Sequence, residues 1–104
     1  MKIIYNNIIP FPGFKCMNLF GIIFARKGKY ISDQTINHES IHTEQMKEMW
    51  YIPFYIWYFI EWFIRLFLPG NAYRNISFEQ EAYDNDKNWS YLENREKFAW
   101  LKYF

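Results

Sequence analysis

With 104 residues and a formal net charge of +1, from 12 basic and 11 acidic side chains, the chain is sized for one domain, residues 1–104. That balance excludes the basic footprint of a nucleic-acid binder and an acidic tail, so no nucleic-acid partner is expected. The single cysteine, Cys16, excludes an internally disulfide-stapled scaffold and, with no secretory signal read at the N-terminus, suits a reducing cytoplasmic setting.

Residues 2–5 form a short β-prone run, and residues 9–13 hold two prolines in a loop. Residues 17–26 are apolar on both faces, as in a strand buried between layers or beneath a ligand. Lys27, Gly28 and Lys29 are expected to turn the chain back through Tyr30 and Ile31. Ser32 and Asp33 are good N-caps for a helix running to about Trp50. A second helix follows Pro53, which a first turn tolerates, and stops before Pro69 and Gly70. Ser77 and Gln80 have capping-box spacing and open a third helix to about Leu92. The tail, residues 94–104, mixes charges with Phe98, Trp100, Leu101, Tyr103 and Phe104 and is expected to dock on the body. The fold class is therefore α+β, a small β-hairpin or sheet packed on three helices.

Aromatic residues make up 24% of the chain, and many fall in the second helix. Its longest uncharged run, residues 49–60, is 12 residues, against roughly 20 for a bilayer-crossing helix. Glu61 and Arg65 follow with the i,i+4 spacing of an ion pair. A core helix beneath the active site fits this pattern. Peripheral membrane contact through residues 50–68 also fits, with Trp50, Tyr51, Trp57, Tyr58 and Trp62 at a lipid interface.

The chemistry centres on His38, Glu39, Ser40, Ile41 and His42, an HExxH motif inside the first predicted helix. Residues i and i+4 stand one above the other on a helix, so two imidazoles can converge on one cation. Glu39 lies one step round, where its carboxylate can reach a metal-bound water as general base. On the helical wheel Asn37, Ser40, Glu44, Lys47 and Glu48 share a polar arc. His38 and His42 lie on the other side with Gln45, Met46 and Met49. They are the only two histidines, and a catalytic zinc site needs three protein ligands, so a carboxylate is the natural candidate to complete it. Glu61, 18 intervening residues after His42, is one candidate, with Arg65 as a competing partner. Glu79 and Glu81 are others, and both flank the apolar arc of Phe78, Ala82 and Trp89, so the wheel does not separate them.

The HExxH motif, with the segment Phe78, Glu79, Gln80, Glu81, Ala82 and Tyr83, resembles the gluzincin zinc metallopeptidases, in particular the minimal stand-alone minigluzincins. The specific match covers residues 38–42 and, more weakly, 79–82; the rest is the order of elements. The resemblance implies a zincin-like minimal domain that binds Zn2+ through His38, His42 and Glu79, the first Glu of an ExxA(D/N) stretch. It also implies a strand edge within residues 17–26 that takes a peptide or protein substrate by strand addition. Tyr83 stands where the family has Asp or Asn, which leaves Asp84 or Asp86 to support the ligands. Tyr73, Tyr83 or Arg74 is left to stabilise an oxyanion.

Two functions follow. One is a zinc-dependent peptidase, with a latent variant in which the tail enters the cleft. The other is a non-catalytic zinc-binding interaction module whose aromatic helix meets a membrane or protein partner.

Overall fold

A computed structural model of the chain describes residues 2–6, 16–28 and 30–104. The expected proline loop at residues 9–13 and Lys29 lie outside the described residues.

The fold is α+β. Strand β1 (Ile3–Asn6) runs parallel to the central strand β3 (Ile22–Arg26), and β2 (Cys16–Leu19) pairs antiparallel to β3 on its other side. Residues 17–26 are thus a hairpin rather than one strand, and they reverse at Phe20 and Gly21. Both turn residues have positive φ, 54° and 88°, the backbone of a two-residue type I′ turn. Glycine accepts that conformation readily and phenylalanine does not. Here Phe20 is held by its N–H, which donates to the Tyr55 hydroxyl (3.0 Å), and by ring contacts with Tyr51 and Tyr55. Tyr30 and Ile31 form no returning strand but lead directly into the first helix.

Helix α1 (Asp33–Glu48) starts as expected: the Ser32 hydroxyl accepts from the Thr35 N–H at 3.1 Å. Helix α2 (Ile52–Arg65) carries Pro53 in its first turn. Helix α3 (Ser77–Asn85) is shorter than expected and is followed by a single turn, α4 (Tyr91–Asn94), and a 3-10 turn over Ala99–Tyr103. The Ser77–Gln80 capping box does not form. Ser77 donates its hydroxyl to Glu61, and Gln80 reaches the Asn75 carbonyl.

The core gathers Met46, Phe54, Ile76, Phe78 and Trp100 between the helices. Trp100 docks the tail there, edge to face with Trp57 and tilted against Phe78. Ala99 and Trp100 are thus buried, while Phe98, Leu101 and Phe104 of the tail stay exposed. Among the described residues, no helix is long and apolar enough to cross a membrane.

Candidate metal centre

Two helices build the site. Helix α1 points His38 and His42 inward, 7% and 5% exposed, and the first turn of α3 brings Glu79, 3% exposed, between them. His42 Nε2 lies 3.2 Å from His38 Nε2, and Glu79 Oε1 lies 3.2 Å from His38 Nε2 and 3.0 Å from His42 Nε2. These three residues form a group that can hold a metal ion. Zinc bonds of about 2.0–2.1 Å in a tetrahedron place neighbouring ligand atoms roughly 3.3 Å apart, close to the triangle observed.

The partners of the other ring nitrogens explain why the triangle suits a cation. His38 Nδ1 is 2.9 Å from Asp86 Oδ2, so Nδ1 donates and Nε2 keeps a lone pair. His42 Nδ1 is 2.7 Å from Gln45 Oε1. Gln45 Nε2 donates to the Phe78 carbonyl (3.0 Å) and to Glu81 Oε1 (2.9 Å), so its amide is oriented with Oε1 as acceptor. His42 Nδ1 is then also a donor. Both Nε2 lone pairs and a carboxylate oxygen therefore face one point, an arrangement that repels itself without positive charge between them.

Electrostatics agree. Burial alone would lower the His42 pKa, but the charge and hydrogen bond of Glu79 outweigh it and raise it to about 9. Burial would likewise raise Glu79, yet His42, His38 and Tyr58 hold its carboxyl well below the usual range. The Tyr58 hydroxyl donates to Glu79 Oε2 at 2.6 Å; burial, then Glu79, pushes its own pKa up.

The other two candidate carboxylates have different work. Glu61 accepts from the Ser77 N–H (2.9 Å), the Ser77 hydroxyl (2.6 Å) and Trp57 Nε1 (2.9 Å), so it ties α2 to the start of α3 instead of pairing with Arg65. Glu81, fully buried, accepts from Arg95, Tyr91 and Gln45. Arg95 also forks onto both oxygens of Glu48, and the Glu48 carboxylate takes the Phe98 N–H. Glu48 is thus withdrawn from the polar arc of α1. Asn37 leaves it too, donating to the Asp86 carbonyl at 2.9 Å.

A cleft of about 220 Å³ opens beside the triad. Cys16, Met17 and Asn18 of β2 form one wall, Phe54, Tyr55 and Tyr58 of α2 another, and Glu39 and Tyr73 face it with Glu79. Glu39 is half-buried at this position. Tyr73 accepts from the Tyr83 hydroxyl at 3.3 Å; burial, then Glu79, raises its pKa. Tyr83 lies edge-on to His38 and under Arg74, whose guanidinium stands 3.8 Å over its ring. Of Tyr73, Tyr83 and Arg74, only Tyr73 lines the cleft; no tail residue does. Gln45 was not singled out as a site residue by sequence reasoning, although its i+3 spacing from His42 was a signal.

No family model matches the chain, and no curated protein or solved structure matches it.

Proposed function

We propose that the chain is a zinc-dependent peptidase of the gluzincin type, with Zn2+ held by His38, His42 and Glu79 and with Glu39 as general base. The observation that carries this reading is the placement of Glu39, on the turn that supplies both histidines and facing the cleft where their donor atoms converge. A structural metal site needs no such base. When bound, zinc supplies a Lewis acid that brings the pKa of a water toward neutrality.

The chain's own residues do the rest. Glu39 takes a proton from the attacking water and returns it to the leaving amine. Asp86 and Gln45 fix the two imidazoles with Nε2 turned inward, and Tyr58 holds the far oxygen of Glu79. Among the described residues strand β2 is an outer strand of the sheet and lines the cleft, the place where an extended peptide would add as a further strand by displacing the Tyr55 hydroxyl from the Asn18 carbonyl (3.3 Å). Tyr73, whose hydroxyl already accepts from Tyr83, can turn its own proton toward a developing oxyanion.

The exposed apolar face of α2 favours the second reading, a zinc-holding interaction module. Digestion of a peptide library by zinc-loaded wild type and by Glu39→Gln separates the two. Cleavage by wild type that falls about a hundredfold or more in the variant supports the peptidase. No cleavage by either protein, with zinc retained by both, rejects it.

A further inference from the structure

Helix α2 is built inside out for a surface helix in water. At about 100° per residue, Ile52, Ile56, Phe59, Ile60, Phe63 and Ile64 share an arc of about 140°. All six are at least half exposed, from 51% to 61%. The polar groups of the helix lie on the opposite side. Tyr55 and Tyr58 turn their hydroxyls to the hairpin and to Glu79, and Glu61 is buried against Ser77. The outer face offers hydrocarbon and no hydrogen-bonding side chain over its full length. A water-facing helix places its residues the other way round.

Charge around the face points the same way. From residue 49 to residue 78 the only acidic side chain is Glu61, and it is turned inward; Arg65 and Arg74 are the bases. The helix continues into a turn with Leu66, Phe67 and Leu68 exposed, and beside its middle Trp57 contacts the exposed Phe104. The segment is therefore apolar in the centre, aromatic at one side and cationic toward its C-terminal end, which complements a bilayer surface with anionic headgroups. Its 14 residues reach about 21 Å, too short to cross and suited to lying in the interface.

We propose that the outer face of α2 binds a lipid membrane surface, with the helix in the plane of the headgroup–acyl boundary. This goes beyond the peptidase reading and does not depend on it. The same helix walls the cleft through Phe54, Tyr55 and Tyr58, so the metal centre is held about one helix diameter, roughly 10 Å, from lipid. A protein partner of the same face would need to bury it without a single side-chain hydrogen bond, whereas interfaces normally carry about one per 100–200 Å².

The test is co-sedimentation of the full chain with vesicles of phosphatidylcholine alone and of phosphatidylcholine mixed with phosphatidylglycerol. It is read alongside quenching of tryptophan by brominated acyl chains. Binding to both is expected, tighter with the anionic lipid and weakened by salt. The double variant Phe59→Gln/Phe63→Gln should lose roughly a hundredfold in vesicle affinity while its circular dichroism spectrum and metal content stay as in wild type. Arg65→Gln should erase only the preference for anionic lipid. The proposal is overturned if neither vesicle is bound. It is equally overturned if the phenylalanine variant binds like wild type, or if the face is covered in solution by a stable dimer that ignores vesicles.

Discussion

Asp86 holds His38: its Oδ2 sits 2.9 Å from the imidazole Nδ1, with both groups buried, and this contact sets which ring nitrogen faces Glu79. The same carboxylate takes the Gln34 amide at 3.1 Å on its other oxygen, so it is fixed at both ends. Asp86→Ala should therefore weaken zinc binding by about 10- to 100-fold, the usual cost of removing a carboxylate behind a ligating histidine. Competition with a chromophoric chelator measures it. Unchanged affinity would mean that the tautomer is set elsewhere.

Gln45 does the matching job for His42 and adds a link to the tail, through Glu81 to Arg95 and Glu48. Gln45→Leu should lower zinc affinity by a similar factor. It also removes the amide hydrogen bonds to the Phe78 carbonyl and to buried Glu81 Oε1, at a cost of about 1–3 kcal/mol to stability. Denaturant unfolding of the metal-free protein reads the second effect apart from the first.

Glu61 and Glu81 should behave as structural carboxylates. Glu81→Gln leaves Arg95 buried against one fewer charge, and breaking such a buried network costs about 3–5 kcal/mol. Glu61→Ala strips the Ser77 N–H of its acceptor and should cost about 1–3 kcal/mol. Thermal melts with and without zinc check both. The zinc-induced rise in melting temperature should survive in each variant that still folds.

Much of this site was legible in the chain. The Ser32 cap and the spacing of His38 and His42 follow from helix geometry, and the inward face of both rings follows from the apolar residues around them. The choice of Glu79 over Glu81 was not a matter of spacing, because the two carboxylates leave the same helix. What brings Glu79 rather than Glu81 to the histidines are contacts 37 and 41 residues apart in sequence, with His42 and His38. Glu61 shows the limit most clearly. Its i+4 neighbour Arg65 is the local partner a sequence offers, and the actual partner, Ser77, is 16 residues on. The Phe20–Gly21 turn was hidden for a related reason. A phenylalanine at positive φ is unfavourable locally and is held there by Tyr55, 35 residues away.

The pH dependence of the metal-free protein follows from His42. A pKa raised to about 9 from the ordinary 6.5 means that the folded state holds this proton more tightly than the unfolded chain. The resulting stabilisation is fully present below about pH 6.5 and is lost as pH rises through about 9. Zinc must displace the same proton, so binding between about pH 7 and 8 should release at least one proton per metal, of which the His42 contribution fades above about pH 9. Titration calorimetry in buffers of different ionisation enthalpy measures the count. Zinc uptake with no proton release at pH 7.5 would contradict the Glu79–His42 pairing.

The central claim is tested most directly by elemental analysis of purified wild type and of the Glu79→Ala, Glu81→Ala and Glu61→Ala variants after loading with zinc and dialysis. One zinc per chain is expected in wild type and in the folded Glu81 and Glu61 variants, and essentially none in Glu79→Ala. Zinc retained in Glu79→Ala and lost from one of the others would contradict the His38, His42 and Glu79 centre.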